Sequence, residues 1–212
     1  MVLSKHTGEV EKDRNPKLMS EVYIISGADQ TAMIKKWEVI KSVPLSSNRV
    51  FSTRVDTSVS PVTGKEHDFF VIEAPDWINV VAVTENEEVL LIKQYRHGIR
   101  SETIEIPGGV IDPGETPLET AKRELLEETG YVSDDWTLIG EVIPNPAIQN
   151  NKCHTFLARN SRKAGDPVFD STEFIVTYTA PVSEIPKMVA ERKITHSLVV
   201  AAFYWFCLYS FS

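Results

Sequence analysis

One stretch constrains this chain more than any other: residues 109–131, GVIDPGETPLETAKRELLEETGY. A glycine pair, Gly108 and Gly109, opens it, and Glu115, Arg123, Glu124, Glu127, Glu128 and Gly130 follow. Thr116 and Glu119 have the spacing of a capping box, and Pro117 suits the first helical position. Gly130 suits the residue just past a helix end. These signals predict a helix over 117–129. At about 100° per residue, Glu124, Glu127 and Glu128 share one face. Leu118, Ala121 and Leu125 share another, which can pack on a core.

Three carboxylates on one helical face repel one another, by a few tenths of a kcal/mol for each close pair. Arg123 can offset only part of that repulsion. A hard divalent cation with oxygen ligands is the natural complement, Mg²⁺ or Mn²⁺ where phosphates are handled. Three glutamates alone would read as a solvated acidic face. The flanking glycines, Glu115 and Arg123 tip the reading toward a metal.

At these residues the stretch resembles a Nudix box, G-x5-E-x7-R-E-U-x-E-E-x-G-U, with U a bulky apolar residue. Gly109, Glu115, Arg123, Glu124, Glu127, Glu128 and Gly130 match, Leu125 fills the first U, and Tyr131 at the last is a mild departure. The resemblance implies hydrolysis of a nucleoside diphosphate linked to another moiety. It implies that Glu124 and Glu128 bind Mg²⁺ (Mn²⁺ as the alternative), with Glu127 alongside and the Gly108 carbonyl as a backbone ligand. Arg123 would orient the glutamates together with Glu115.

The rest of the chain sets bounds. A length of 212 residues allows one domain, or one with a small appendage. A net charge of −8 argues against a nucleic-acid polymer as partner, because phosphate backbones are held by Lys and Arg. A small phosphorylated substrate stays open, with metal supplying positive charge. Cys153 and Cys207 form no metal or redox motif. The first residues carry acids and no apolar core, so no secretory signal is expected and a cytoplasmic enzyme fits.

The first twenty residues read as a mobile or partner-docked arm, followed by apolar patches at 22–25 and 33–34. Strand-like runs are expected at 37–40, 49–56, 67–73, 79–83, 88–95, 103–106, 136–143, 153–159 and 173–179. The segment 61–64, Pro-Val-Thr-Gly, reads as a hairpin turn. Helices are expected over 183–190 and 196–211. The last lacks any charge, but it is short for a membrane span and reads as a core or dimer-packed helix. Many strands with few helices indicate an α+β chain. The resemblance implies an α/β/α sandwich with a mixed β-sheet over 61–212, preceded by a small N-terminal strand region over 1–60.

Other positions carry chemical promise. Gln94-Tyr95-Arg96 ends a strand, and Glu105 lies two residues before Pro107. Sugar-nucleotide Nudix enzymes have a similar arrangement, in which the arginine holds the diphosphate or terminal ribose and the glutamate points into the site. A strand-end surface arginine is the plain alternative. Pro146 matches, by its offset from the box, a proline of the ADP-ribose pyrophosphatases. The text after it, Ala147-Ile148-Gln149-Asn150-Asn151, departs from that pattern and leaves room for another nucleoside diphosphate sugar. His154 lies in an apolar strand and reads as a satisfied core histidine. The other four histidines share no spacing. Some family members draw a general base from a late loop. Here that loop holds Asp166, Asp170 and Glu173, and solvated loop acids are the default. Glu173 joins Arg123, Glu124 and Glu127 as a catalytic candidate, while the choice among the three loop acids and a metal-held glutamate stays open.

The expected activity is cleavage of ADP-ribose or a related nucleoside diphosphate sugar into a nucleoside monophosphate and a sugar phosphate. The rivals are a pyrophosphatase of nucleoside triphosphates or dinucleoside polyphosphates, and a domain that senses ADP-ribose without cleaving it. The box glutamates are intact, which favours an enzyme. The family resemblance also implies a homodimer, with the first sixty residues in the interface.

Overall fold

The computed structural model describes residues 34–169 and 174–210. The chain divides into two compact units, Met1–Lys36 and Trp37–Ser212, and the architecture described below is that of the second. It begins with an antiparallel meander of β1 (Glu38–Ser47), β2 (Ser52–Val59) and β3 (Glu66–Glu73). The β2–β3 turn is closed by the Ser60 and Gly64 amides, which donate to the carbonyls of Lys65 and Ser60. Gly64 takes a φ of 69°, as the expected turn at 61–64 requires. The boundary expected at residue 60 falls inside this hairpin.

Two further sheets form the centre. One has the order β7-β4-β10-β9, built from β4 (Trp77–Ala82), β7 (Gly108–Val110), β9 (Asp135–Val142) and β10 (Cys153–Arg159). Only its β4–β10 pair is parallel, so the sheet is mixed. The other has the order β12-β5-β6 and is antiparallel: β5 (Glu88–Arg96), β6 (Ser101–Glu105), β12 (Ile175–Pro181). A small pair, β8 (Tyr131–Val132) with β11 (Arg162–Lys163), completes the strands.

Helix α1 (Pro117–Thr129) covers one side of the central strands, and α2 (Ile185–Ala190) and α3 (Ser197–Ser210) cover the other. The sequence explains the split. Ile78, Val80 and Ala82 alternate toward α1, where Ala121 and Leu125 are fully buried beside Leu90 and Phe156. Val81 and Val83 point the other way, onto Ile185, Ile194, Val199, Ala202 and Phe203. This is the expected α/β/α arrangement. The uncharged α3 buries Val199, Ala202 and Phe203, while Tyr204 on its other side is 64% exposed. No helix among the described residues is long and apolar enough to cross a membrane.

The short pair β8 and β11 was not expected, and two other strands differ from the sequence reading. β1 runs for ten residues rather than four, all of them exposed. Its serines and Pro44 hid it, but it is an edge strand with register shifts at 39–41 and 44–46, where proline is tolerated. β7 was not among the expected strands, and the glycine pair lies within it. Neither Gly108 nor Gly109 has a positive φ. Gly108 is needed for close approach, since a Cβ there would collide with the Ile78 carbonyl.

Helix α1 has the predicted bounds. Thr116 Oγ1 accepts the Glu119 amide, and the Glu119 carboxylate accepts the Thr116 amide at 2.8 Å. At the other end Gly130 takes a φ of 71°, and a Cβ there would run into the Gly165 carbonyl. Gly130→Ala should therefore lower the unfolding free energy by at least about 1–2 kcal/mol, through left-handed strain plus the clash. Urea denaturation measures this; a change below a few tenths of a kcal/mol would contradict the account.

Candidate active site

The site is built around the Arg123 side chain. Its Nε and Nη2 donate to the two oxygens of Glu115, each at 3.0 Å, in a two-pronged pair. Its Nη1 reaches Glu124 at 2.9 Å and Glu127 at 3.1 Å. Asp112 lies 3.6 Å from Nη2. Glu115 also accepts the Thr120 hydroxyl at 2.7 Å. One guanidinium thus ties the turn before α1 to two of the three carboxylates on its face. Hydrogen bonds from Arg123 and then Thr120 draw the Glu115 carboxyl down to about 2. The same bonds, led by the one to Glu115, hold the Arg123 proton more firmly than in water.

The third carboxylate is held separately. Glu128 is 5% exposed, and its Oε2 accepts the Gly108 amide at 3.0 Å. Gly109 lies so close to Glu124 that a Cβ would strike its carboxylate. The glycine pair therefore brings strand β7 directly over the acidic face of α1. Among the described residues, no three carboxylate, imidazole or thiolate side chains converge to enclose a metal by themselves. Glu124, Glu127, Glu128 and the Gly108 carbonyl are hard oxygen donors that could hold a divalent cation.

A second charged pair lies on β5 and β6. Arg96 Nε and Nη2 donate to Glu105 at 2.8 and 2.6 Å, and the Thr103 hydroxyl adds a bond of 2.6 Å. Glu105 is 3% exposed, whereas the Arg96 side chain is 45% exposed. Burial alone would push the Glu105 proton on, but the bonds from Arg96 and Thr103 outweigh it and keep the carboxyl below its usual range. The buried carboxylate thus anchors an arginine that reaches the surface.

Not every candidate joins these networks. Pro146 is exposed, in a loop whose Ile148 carbonyl accepts the Ile72 amide, and no described contact links it to Arg96 or α1. Glu173 and Asp170 lie outside the described residues. Asp166 is exposed, on a loop whose Val168 amide donates to the Glu127 carbonyl at 2.8 Å. His154 sits between Asp76, at 3.3 Å, and Glu141, at 3.2 Å, so it is a partnered histidine. Sequence reading missed Thr103, Thr120 and Thr177, whose hydroxyl donates to the Glu128 carbonyl at 3.0 Å. Strand alternation places Thr103 on the same face as Glu105 and could have found it. Thr177 is brought in by tertiary pairing alone.

The match to a NUDIX domain spans residues 75–206, which takes in both charged networks. The chain belongs to the Nudix family. It is 30% identical over 155 residues to the ADP-ribose pyrophosphatase of Bacillus subtilis (strain 168), covering 71% of this chain and 84% of that protein. It is 28% identical over 166 residues to the methanol dehydrogenase activator of Bacillus methanolicus, covering 78% and 89%. A crystal structure of an ADP compounds hydrolase superposes with a TM-score of 0.75 at 19% identity, over 84% of this chain and 96% of that one. That likeness shows the shared fold.

The depressed Glu115 carboxyl has a consequence for acid stability. A carboxyl lowered from 4.5 to about 2 contributes stability that is complete above its unfolded value and is lost as pH falls through about 2. Glu115→Gln should lower the melting temperature at pH 7, and the gap from the native chain should narrow as pH falls below 4.5. Melting curves from pH 7 downward check this; a gap that stays constant to about pH 3 would count against the pairing.

Proposed function

We propose that this Nudix hydrolase cleaves the diphosphate bond of ADP-ribose or a related nucleoside diphosphate sugar, yielding a nucleoside monophosphate and a sugar phosphate. The observation that carries the reading is the Arg96–Glu105 pair, together with an intact carboxylate face on α1. A fork-shaped donor anchored by a buried acid suits a phosphate oxygen, and Arg matches that geometry better than Lys. The names of the relatives, an ADP-ribose pyrophosphatase among them, support the same substrate class.

In this reading Glu124 and Glu128 hold Mg²⁺, or Mn²⁺ in its place, with Glu127 and the Gly108 carbonyl alongside. When bound, the cation supplies positive charge to phosphate oxygens where negative charge grows. Arg123 keeps the glutamates in register and never loses its own proton. Arg96, set by Glu105 and Thr103, grips the diphosphate and orients it toward α1. Pro146 shapes the substrate end of the site from its surface loop. The base that activates the attacking water is Glu173, another acid of the same loop, or a box glutamate. The intact glutamates favour catalysis over a sensing role.

The test is a hydrolysis screen of ADP-ribose, NDP-hexoses, NADH and nucleoside triphosphates with Mg²⁺, with products identified. Sugar nucleotides should show the highest kcat/KM, and a clear preference for triphosphates would overturn the substrate class. In the same assay Glu124→Gln should cut kcat at least about a hundredfold with the fold intact. Near-normal turnover would remove Glu124 from the metal site.

The assembly proposed is a homodimer with the first sixty residues in the interface. On the β1–β3 sheet Val39, Ile40, Leu45 and Phe70 are 56%, 48%, 54% and 67% exposed. A twofold pairing over this sheet would cover these side chains. Light scattering at micromolar concentration should report twice the chain mass. Replacing Ile40 and Phe70 by aspartate should halve it; a monomeric native chain, or a double variant still dimeric, refutes the interface.

A further inference from the structure

Two sheets take hold of the acidic end of α1, and both do so at Glu128. From the central sheet, the Gly108 amide of β7 donates to Glu128 Oε2 at 3.0 Å. From the antiparallel sheet, the Thr177 hydroxyl of β12 donates to the Glu128 carbonyl at 3.0 Å. The side chain and the backbone of one residue are thus fixed from different parts of the fold. The neighbouring carbonyls, of Glu127 and Thr129, are held by the Val168 amide and by Lys163 Nζ. Neither of those contacts comes from the β12-β5-β6 sheet.

That sheet also carries the Arg96–Glu105 pair. Thr177 is the register partner of Ile92 on β5, and Ile92 is the register partner of Glu105 on β6. Side chains opposite one another on adjacent strands share a face. Leu90, two residues before Ile92, shares it too, and it packs in one core with Ala121 and Leu125 of α1. Val89 and Leu91, which alternate with them, pack in the other core. Glu105 therefore stands on the side of the sheet that faces α1, and Thr177 bonds that side directly to the helix. Strand formation does not require the hydroxyl: valine has the same outline as threonine and suits a strand equally.

We propose that Thr177 is a positioning residue for the cation-binding end of α1: its hydroxyl fixes the Glu128 backbone, so that the carboxylate meets a divalent cation without further ordering. The proposal rests on the reading of Glu124 and Glu128 as cation ligands given above. Carbonyls in the last turn of a helix have no partner within it, and a turn that loses an outside donor frays. A cation must then select the ordered fraction of the chain, and its apparent affinity falls with that fraction. The loss of one neutral hydrogen bond corresponds to about fivefold.

The probe is Mn²⁺ alone, added to the full-length protein, with the free ion counted by electron paramagnetic resonance. Thr177→Val keeps the shape, removes the donor and should weaken Mn²⁺ binding about fivefold. Thr177→Ser keeps the donor, removes a methyl group and should bind within about twofold of the native chain. Thr177→Ala, also without the hydroxyl, should match the valine variant and takes its place if melting curves show that valine prevents folding. A bond that served stability alone would lower the melting temperature of the valine variant and leave the Mn²⁺ affinity of the folded chain unchanged; that result overturns the proposal. A serine variant as weak as the valine variant overturns it as well. Glu128→Gln tests the reading beneath and should abolish the site. Mn²⁺ binding that survives this change, or no binding by the native chain, removes Glu128 from the metal site and the proposal with it. The titration involves no hydrolysis, so a failed substrate screen with this pattern intact strikes the proposed activity alone.

Discussion

Arg123 is the interaction on which the site depends. Without it, Glu115, Glu124 and Glu127 would face one another across a few ångströms with only solvent between them. Its guanidinium bonds all three, and it does so from within the helix that carries two of them. The arrangement holds the carboxylates close together while limiting the cost of having them on one face. An unpaired lysine in its place would offer a point charge rather than a fork and could not hold Glu115 through both oxygens.

The helix that carries this network is fixed at both ends, and the fixing is specific. Four carbonyls at the end of any α-helix lack partners within it. In α1 each of the last four finds one: Gly130 donates to Leu126, Val168 to Glu127, the Thr177 hydroxyl to Glu128 and Lys163 Nζ to Thr129. The donors come from the helix cap, strand β11 with the loop after it, and strand β12. The acidic face is therefore held in place by three separate parts of the chain. The loop pinned at Val168 is also the one that leads into the acids at 170–173.

How much of this was legible in the sequence follows from where each signal resides. Helix α1 could be placed to the residue because its cap, its first proline and its terminal glycine are all local to 116–130. The Glu115–Arg123–Glu124–Glu127 set was legible for the same reason, since helical spacing brings the last three together. Strand β7 was not legible, because a glycine pair signals a turn unless one knows that Ile78 and Asn79 press against it. Thr177 was invisible because nothing nearby in sequence marks it; it acts through a partner about fifty residues away, the Glu128 carbonyl.

The Arg96–Glu105 pair makes the functional case by its energetics. Burying a carboxylate at 3% exposure is costly, and three hydrogen bonds from Arg96 and Thr103 offset that cost. A pair built for stability alone would be expected to bury both partners, or to be replaced by apolar side chains of similar size at little loss. Here only the acid is buried, and the arginine it restrains stays close to half exposed. The entropy of a long side chain is lost in advance, before any ligand arrives. Such an arginine meets an anion with less to give up on binding, which is what preorganisation means for a phosphate site.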